Sequence, residues 1–435
     1  MENDMSLNQP LAENVIPASE VPAITLKLLT GQVEGVARSE GIFTKQDLIN
    51  IKLYVKQGLT LPTNTKEVME YIGYSDRDIN IDGLKPADIT TLFKDIHNHA
   101  NSWNDVENQV KQQSIDLENA GKQITKTGGE IISVIKEMPI LDRVKTELGN
   151  IDELGKLYDS RKSDKFNKEH NEKLAKIKAK LAEILYTQDD KDIAVELGNF
   201  LEKMKNDIIK QQKNTLRVKN AVTDFKITLF GGTLSNGNTG QALQSQVDKK
   251  KKLMDDNHLS ATIKESQDEI DEKNKQIEQL QKDYNRYVGE SFSGIPLGII
   301  GLAITGGIFG DKAEKARKRK NELIDEVKDL QNQVKNKSAL QTAIQKLSLN
   351  FMSIRTCMQD AEVALGHLEF VWNTMLTQIT ISKNQFAEID NAMKLTSFVL
   401  TFKEVISPWE KVKGCAEILI ETFDAALAEY QKLYS

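Results

Sequence analysis

The spacing of the prolines is the sequence feature that most constrains this chain. Eight of its 435 residues are proline, and the stretches 140–295 and 297–407 contain none. Proline breaks helix interiors more strongly than any other residue, so these stretches can form very long helices. Glycine is also sparse, with 25 residues. Because an all-β or doubly wound α/β fold needs many more turn residues, the sequence predicts an all-α protein.

Apolar residues recur at helical spacing through most of the chain. They predict helices over 44–59, 65–73, from Pro86 to near Pro139, and over 141–186, 191–230 and 350–406, with a last helix after Ser407-Pro408. The glycine-rich run 231–240 is a loop by composition. The predicted organisation is an elongated long-helix bundle with a coiled-coil stalk and a hydrophobic hairpin tip. Its segments are a flexible N-terminal arm (1–43), short helices (44–84), the first half of the bundle (85–240), an antiparallel coiled-coil hairpin (241–350) and the C-terminal helices of the bundle (351–435).

The charge balance and the cysteines exclude several classes of protein. Charged residues make up 28% of the chain and the net charge is -6, so there is no overall basic field for nucleic acid. Two cysteines, Cys357 and Cys415, are too few for a disulfide framework, and we expect both to be buried thiols, with a disulfide between them as the alternative. The first basic residue is Lys27, so the N-terminus lacks the basic region of a signal peptide. If the protein leaves its cell, we expect another route.

Residues that suggest catalysis or metal binding do not form a complete site. The run Asp78 to Gly83 matches the first half of a calcium loop, but Ile89 stands where that loop needs a bidentate glutamate. His97 and His99 are two residues apart, so they point in different directions on a helix, and we expect both to be exposed. The sequence therefore predicts no catalytic residues, no metal site, no cofactor and no enzyme.

An uncharged segment lies between two heptad-patterned arms. It covers 291–310 and reads SFSGIPLGIIGLAITGGIFG. Upstream the apolar positions are Ile263, Ile270, Ile277, Leu280, Tyr284 and Tyr287, and downstream they are Leu323, Val327, Leu330, Val334, Ile344 and Leu347. Its length permits one membrane-spanning helix, the tip of a helical hairpin, or a segment buried in a core.

Composition favours the hairpin tip among these three alternatives. Six glycines and Pro296 make a poor uninterrupted helix. Insertion of its Ile, Leu and Phe side chains provides only about 3–5 kcal/mol. The segment is therefore expected to contact a membrane only when it is no longer packed on itself or covered by the rest of the protein. The predicted inserting residues are Phe292, Ile295, Leu297, Ile299, Ile300, Leu302, Ile304, Ile308 and Phe309.

The flanks of the uncharged segment suit a membrane surface. The run 311–320 contains six basic and two acidic residues, and lysine and arginine can meet lipid phosphates there. Aromatic residues are common at the same level of a membrane. The predicted interface residues are Tyr284, Tyr287, Lys312, Lys315, Arg317, Lys318, Arg319 and Lys320.

These features together resemble a known family. Long helices, a glycine-rich tip between heptad arms and the run LGHLEFVWNTML at 365–376 are similar to the A component of the xenorhabdolysin-type binary toxins, α-helical pore formers related to cytolysin A. The resemblance implies a secreted toxin that is soluble before insertion, meets a target-cell membrane through its tip, and joins a second (B) component in a hetero-oligomeric ring-shaped pore. A β-tongue of the cytolysin A type is not evident. Phe225 to Leu229 alternates like a strand but has no clear partner.

The functional hypothesis is a subunit of a binary pore-forming cytotoxin. One alternative is a membrane-anchored coiled-coil scaffold or sensor, with 291–310 as a single spanning helix. Another is a soluble cytoskeletal coiled coil, which requires the uncharged segment to lie in a core. The three differ in whether the chain binds lipid and whether it needs detergent.

Overall fold

The computed structural model describes residues 15–16, 42–75, 81–148, 168–257, 264–292, 302–303, 306–333 and 339–434. These residues are almost entirely helical, which confirms the all-α prediction. The elements in chain order are β1 (Val15–Ile16), α1 (Lys45–Thr60), α2 (Thr65–Ile72), α3 (Pro86–Lys136), α4 (Pro139–Leu148), α5 (Lys168–Glu183), α6 (Gln188–Phe230), α7 (Leu243–Asp256), α8 (Lys264–Phe292), β2 (Leu302–Ala303), α9 (Gly306–Gln333), α10 (Ala339–Ala387) and α11 (Ala392–Tyr434).

Local signals in the sequence set several helix starts. Thr44 and Asp47 form a reciprocal capping box, in which the Asp47 N–H donates to the Thr44 hydroxyl at 3.1 Å and the Thr44 N–H donates to the Asp47 carboxylate at 2.9 Å. Asn64 accepts from the Glu67 N–H at 3.0 Å and caps α2. Pro86 is the first residue of α3. An N–H at this position has no hydrogen-bond partner within the helix, so its absence from proline removes no helical hydrogen bond.

The chain divides into two compact units, and neither is one continuous stretch of sequence. Unit 1 comprises Met1–Val110, Val218–Gly366 and Glu421–Ser435. Unit 2 comprises Lys111–Arg217 and His367–Ile420.

Unit 1 has an aromatic core that includes a buried histidine. The His99 side chain is buried, so the expectation that it is exposed is wrong. Its Nδ1 lies 2.6 Å from the Tyr54 hydroxyl and its Nε2 lies 2.9 Å from the Phe225 carbonyl oxygen. A neutral imidazole satisfies both partners, accepting from the tyrosine and donating to the carbonyl. Burial lowers the pKa of His99 to about 4, although the Phe225 carbonyl acts in the opposite direction.

Two tryptophans form the centre of unit 2. Trp372 and Trp409 are both buried, and their ring centroids are 5.4 Å apart. The Trp372 indole N–H donates to the Thr215 hydroxyl at 2.9 Å.

Pro408 lies inside α11, so the predicted helix break at Ser407-Pro408 is wrong. Proline costs about 3 kcal/mol in a helix interior, and packing of the buried neighbours Ile406 and Trp409 outweighs that cost here.

The break between the last two helices lies at 388–391 instead. Asn391 accepts from the Lys394 N–H at 3.0 Å and caps α11. The turn between α5 and α6 pairs with this break, because the Tyr186 N–H donates to the Asp390 carbonyl at 2.8 Å and the Ala392 N–H donates to the Ile184 carbonyl at 2.9 Å. Helices α4 and α5 cover the two ends of the predicted helix 141–186, whose middle part, 149–167, lies outside the described residues.

The predicted loop after α6 is present. Gly231 ends the helix with a φ of 86°, a conformation that favours glycine. Thr233 and Thr239 then pair antiparallel and close a small backbone turn. Phe225 to Leu229, which alternates like a strand, belongs to the last turns of α6.

Adjacent glycines in α3 give a matched test of helix packing in unit 2. A Cβ at Gly128 would overlap the Ile406 side chain, whereas a Cβ at Gly129 would meet nothing within 4 Å. We expect Gly128→Ala to lower the free energy of unfolding by about 1–3 kcal/mol through overpacking. Gly129→Ala should raise it by about 0.5–1 kcal/mol, since alanine is the better helix former. Urea unfolding of both variants measures the difference, and equal effects would contradict this packing.

The buried His99 predicts a specific loss of stability in acid. Its folded pKa is below the unfolded value of about 6.5, so the neutral form stabilises the fold above that pH. The contribution falls as the pH drops from about 6.5 to about 4, by about 3 kcal/mol in total. We expect His99→Gln to lose less stability than the wild type over this interval in urea unfolding. Parallel pH profiles of the two proteins would show that His99 does not titrate in this way.

Candidate functional site

Helices α8 and α9 form an antiparallel pair on either side of the uncharged segment. The Lys273 ammonium lies 2.5 Å from the Glu326 carboxylate, and Lys320 lies 2.7 Å from Gln281. Nearer the segment, Tyr284 and Ala316 belong to one apolar cluster. Residue numbers rise along α8 as they fall along α9, so the two helices run in opposite directions.

Two small apolar clusters hold this pair together. The first contains Ile277, Leu323, Ile324 and Val327 with Leu349 of α10. The second contains Tyr284 and Ala316, with Tyr287 and Val363 at its edge. Leu280 contacts both clusters. Alternating steps of three and four residues place these side chains on one face of each helix, as in a coiled coil.

The outer surface of the pair carries ion pairs. Arg319 donates to Glu322 at 3.0 Å and to Glu326 at 3.3 Å, and Lys273 also bonds Glu326. The hydrogen bond from Lys273 is the main cause that holds the pKa of the Glu326 carboxyl below its usual value. Such exposed pairs contribute little stability, so the apolar clusters determine the pairing.

The structure describes part of the predicted tip. Phe292 is the last residue of α8, Leu302 belongs to β2, and Ile308 and Phe309 lie in the first turn of α9. The remaining predicted tip residues, Ile295, Leu297, Ile299, Ile300 and Ile304, lie outside the described residues.

A short strand of the N-terminal arm pairs with the tip segment. Val15 is opposite Ala303 and Ile16 is opposite Leu302 in an antiparallel pair. Sequence reasoning did not find this contact. Two-residue strands leave no periodic signal, and the only sequence cue is a pair of β-branched residues in an otherwise weakly patterned arm.

The predicted interface residues fall into different environments. Lys315, Lys318 and Arg319 are exposed, and Arg317 and Tyr287 are half-buried. Tyr284 is buried against Ala316. Lys312 lies in α9, and its surroundings are outside the described part of the chain.

Lys320 differs most from the expectation of a lipid-facing lysine. Its side chain is 1% exposed, so in this structure it cannot reach a headgroup. The reason is helical periodicity, because Ala316, Lys320, Leu323 and Val327 occupy successive inward positions of α9. A continuous basic run must place some of its members on the inner face. The same seam spacing in the sequence could have identified this position.

The remaining candidate groups concern metal binding, the cysteines and membrane-spanning helices. Among the residues that the structure describes, no group of three or more His, Cys, Asp or Glu side chains could hold a metal ion. Cys357 is buried, as expected, and the side chain of Cys415 lies outside the description. None of the described helices combines the length and the apolar character needed to cross a membrane.

Comparison with known proteins gives a consistent set of relatives. Neither protein-family models nor curated proteins match this chain. Among solved structures, XaxA from Xenorhabdus nematophila is 58% identical over 90% of this chain and 100% of its own, with a TM-score of 0.47. A chain of the XaxAB pore complex from the same organism is 63% identical with the same coverage and a TM-score of 0.46. YaxA from Yersinia enterocolitica is 47% identical, again over 90% and 100%, with a TM-score of 0.49.

The assignment depends on sequence identity rather than on superposition. Identities of 47%, 58% and 63% extend over the whole length of these relatives. They confirm the resemblance to the A component of the xenorhabdolysin-type binary toxins. This chain therefore belongs to the family of XaxA and YaxA, components of binary α-pore-forming toxins.

Proposed function

We propose that this chain is the A subunit of a secreted binary pore-forming cytotoxin. It binds a target-cell membrane through the tip between α8 and α9 and assembles with a second (B) component into a lytic pore. The observation that carries the proposal is the 63% identity, over the full length of the relative, to a chain of the XaxAB pore complex.

The hairpin geometry supports a role for the uncharged segment as a tip. Because α8 and α9 are antiparallel, Phe292 and Gly306 lie at the same end of the pair. The chain between them leaves the helices and returns at that end. Each half of 291–310 corresponds to about 15 Å of helix, which would reach halfway across a hydrocarbon core of about 30 Å. These lengths support shallow insertion by the tip.

The exposed lysines of α9 support an electrostatic contribution to binding. Lys315 and Lys318 are exposed within the first four turns of α9. A lysine close to an anionic lipid surface contributes about 1 kcal/mol. Insertion of the tip and electrostatic attraction of these lysines would act together, since neither contribution alone gives a stable attachment to the membrane.

Vesicle flotation is the first test of the proposal. The chain, purified without detergent, is mixed with neutral or anionic vesicles, and the protein in the lipid fraction is measured. Floating with lipid, and release of a trapped dye once the B component is added, are the expected results. A chain that needs detergent to stay in solution would instead support the membrane-anchored scaffold. Protein that neither floats nor releases dye with the B component would contradict the proposal.

A charge in the tip should prevent membrane binding. Aspartate near the middle of a bilayer costs about 2.5–3.5 kcal/mol, so Ile300→Asp should weaken vesicle binding by roughly 100-fold. The matched control is Val195→Asp, the same kind of change on α6 at a side chain that is 67% exposed. The control should bind as the wild type does. Undiminished dye release by Ile300→Asp would rule out insertion through the tip.

Neutralising the two exposed lysines should weaken binding to anionic lipid only. At about 1 kcal/mol each, Lys315→Gln with Lys318→Gln should reduce binding to anionic vesicles by roughly 30-fold. Binding to neutral vesicles should change little. The control is Lys176→Gln with Lys180→Gln, two exposed lysines of α5. An equal loss in both double variants would mean that overall charge, rather than the end of the hairpin, attracts the lipid.

A further inference from the structure

A buried lysine joins three helices beneath the tip. The Lys320 ammonium of α9 donates to the Gln281 side-chain carbonyl of α8 at 2.7 Å and to the Met352 backbone carbonyl of α10 at 3.2 Å. Lys320 therefore connects the α8–α9 hairpin to α10. The membrane contact proposed for the basic run 311–320 does not explain the buried side chain of Lys320.

Gln281 completes this polar cluster. Its carbonyl accepts from Lys320 and from the Thr356 hydroxyl at 2.9 Å, and its amide donates to Asn285 at 2.8 Å and to Gln359 at 2.9 Å. All the hydrogen-bonding positions of Gln281 are thus occupied. Three of its four partners lie outside α8, so the cluster fixes the register between the hairpin and α10.

The cluster interrupts an otherwise apolar contact. Apolar clusters lie on both sides of it, one around Ile277 and Leu323 and the other around Tyr284 and Ala316. A cavity of about 180 Å³ adjoins Lys320 and Gln281. The titratable and charged groups that face this region are Glu278 and Lys282 of α8, Arg317 of α9, Arg355 and Cys357 of α10, and Asp47 of α1.

Burial changes the protonation of the amine. Desolvation is the largest effect and lowers the pKa of Lys320 to about 7. Cys357 and Asp47 act to raise the pKa, whereas Arg355 and Arg317 act to lower it. Released into water, the same amine would have a pKa of about 10.4.

We propose that the Lys320–Gln281 cluster is a pH-sensitive latch that holds the α8–α9 hairpin on α10 and lets it separate more readily at neutral than at alkaline pH. Between pH 7 and about 10.4 the separated hairpin binds a proton that the docked hairpin does not. Docking therefore strengthens as the pH rises through this interval. Below about pH 7 both states are protonated, and docking no longer depends on this group.

Hydrogen exchange measures the latch directly. The opening constant of the α8 and α9 amides is determined at pH 8 and pH 9, after correction for the intrinsic exchange rate. One proton of difference corresponds to a tenfold decrease in the wild-type opening constant over this unit of pH. Lys320→Met removes the titrating group and leaves Gln281 bonded to Thr356. We expect its opening constant to be independent of pH over the same interval.

Lys318→Met is the matched control. It removes an exposed lysine from the same helix, so the tenfold change should remain. A pH-independent wild type, or the same slope in Lys320→Met and Lys318→Met, would overturn the latch. Lys320→Leu provides the same comparison if the methionine variant does not fold.

The consequence of the latch for membranes depends on the proposed function. If the hairpin must leave α10 before the tip reaches lipid, Lys320→Met should release dye more slowly at pH 7.4, with the B component present, than Lys275→Met, which removes an exposed lysine of α8 outside the proposed lipid contacts. Equal rates, together with the expected exchange results, would overturn this link alone. The Ile300→Asp experiment tests the proposed function separately, so the two failures can be distinguished.

Discussion

The apolar seam between α8 and α9 is the contact on which the candidate site depends. Both helices are rich in charge, and exposed ion pairs such as Arg319 with Glu322 contribute at most about 1 kcal/mol each. Complete burial of a side chain such as Ile277 or Leu323 contributes about 1.5–3 kcal/mol. The seam therefore fixes the antiparallel pairing. The pairing in turn brings both ends of the uncharged segment to one end of the hairpin, which is the condition for a tip.

Local signals predicted the fold where they act within one turn of helix. Thr44 and Pro86 start helices because their caps and missing donors need no distant partner. Pro408 led to a wrong prediction. The free-energy cost of a proline inside a helix can be read from the sequence, whereas the packing that outweighs it comes from Trp372, on a distant part of the chain. His99 shows the same limit. Its polarity indicated exposure, yet the Phe225 carbonyl that satisfies it is more than a hundred residues away.

The candidate site was predictable in register but not in its polar contacts. Heptad spacing identified Ile277, Tyr284 and Leu323 as seam residues, and all three are buried. The same spacing includes Gln281 and Lys320, but a polar residue at a seam position reads as a surface residue unless its partners are known. Those partners lie on three helices, and hydrogen bonds between helices leave no periodic pattern in a sequence.

A tip that contacts membranes conditionally requires docking and insertion to be comparable in free energy. Insertion of the uncharged segment, as proposed, would provide only about 3–5 kcal/mol. Leucine in place of both Gln281 and Lys320 would add about 1.5–3 kcal/mol of burial per residue, which would match or exceed that gain. A fully apolar seam would then hold the hairpin on α10 even in the presence of lipid. Polar residues at these two positions keep the hydrogen-bonded register while limiting how strongly the hairpin is held, which is the balance that such a tip needs.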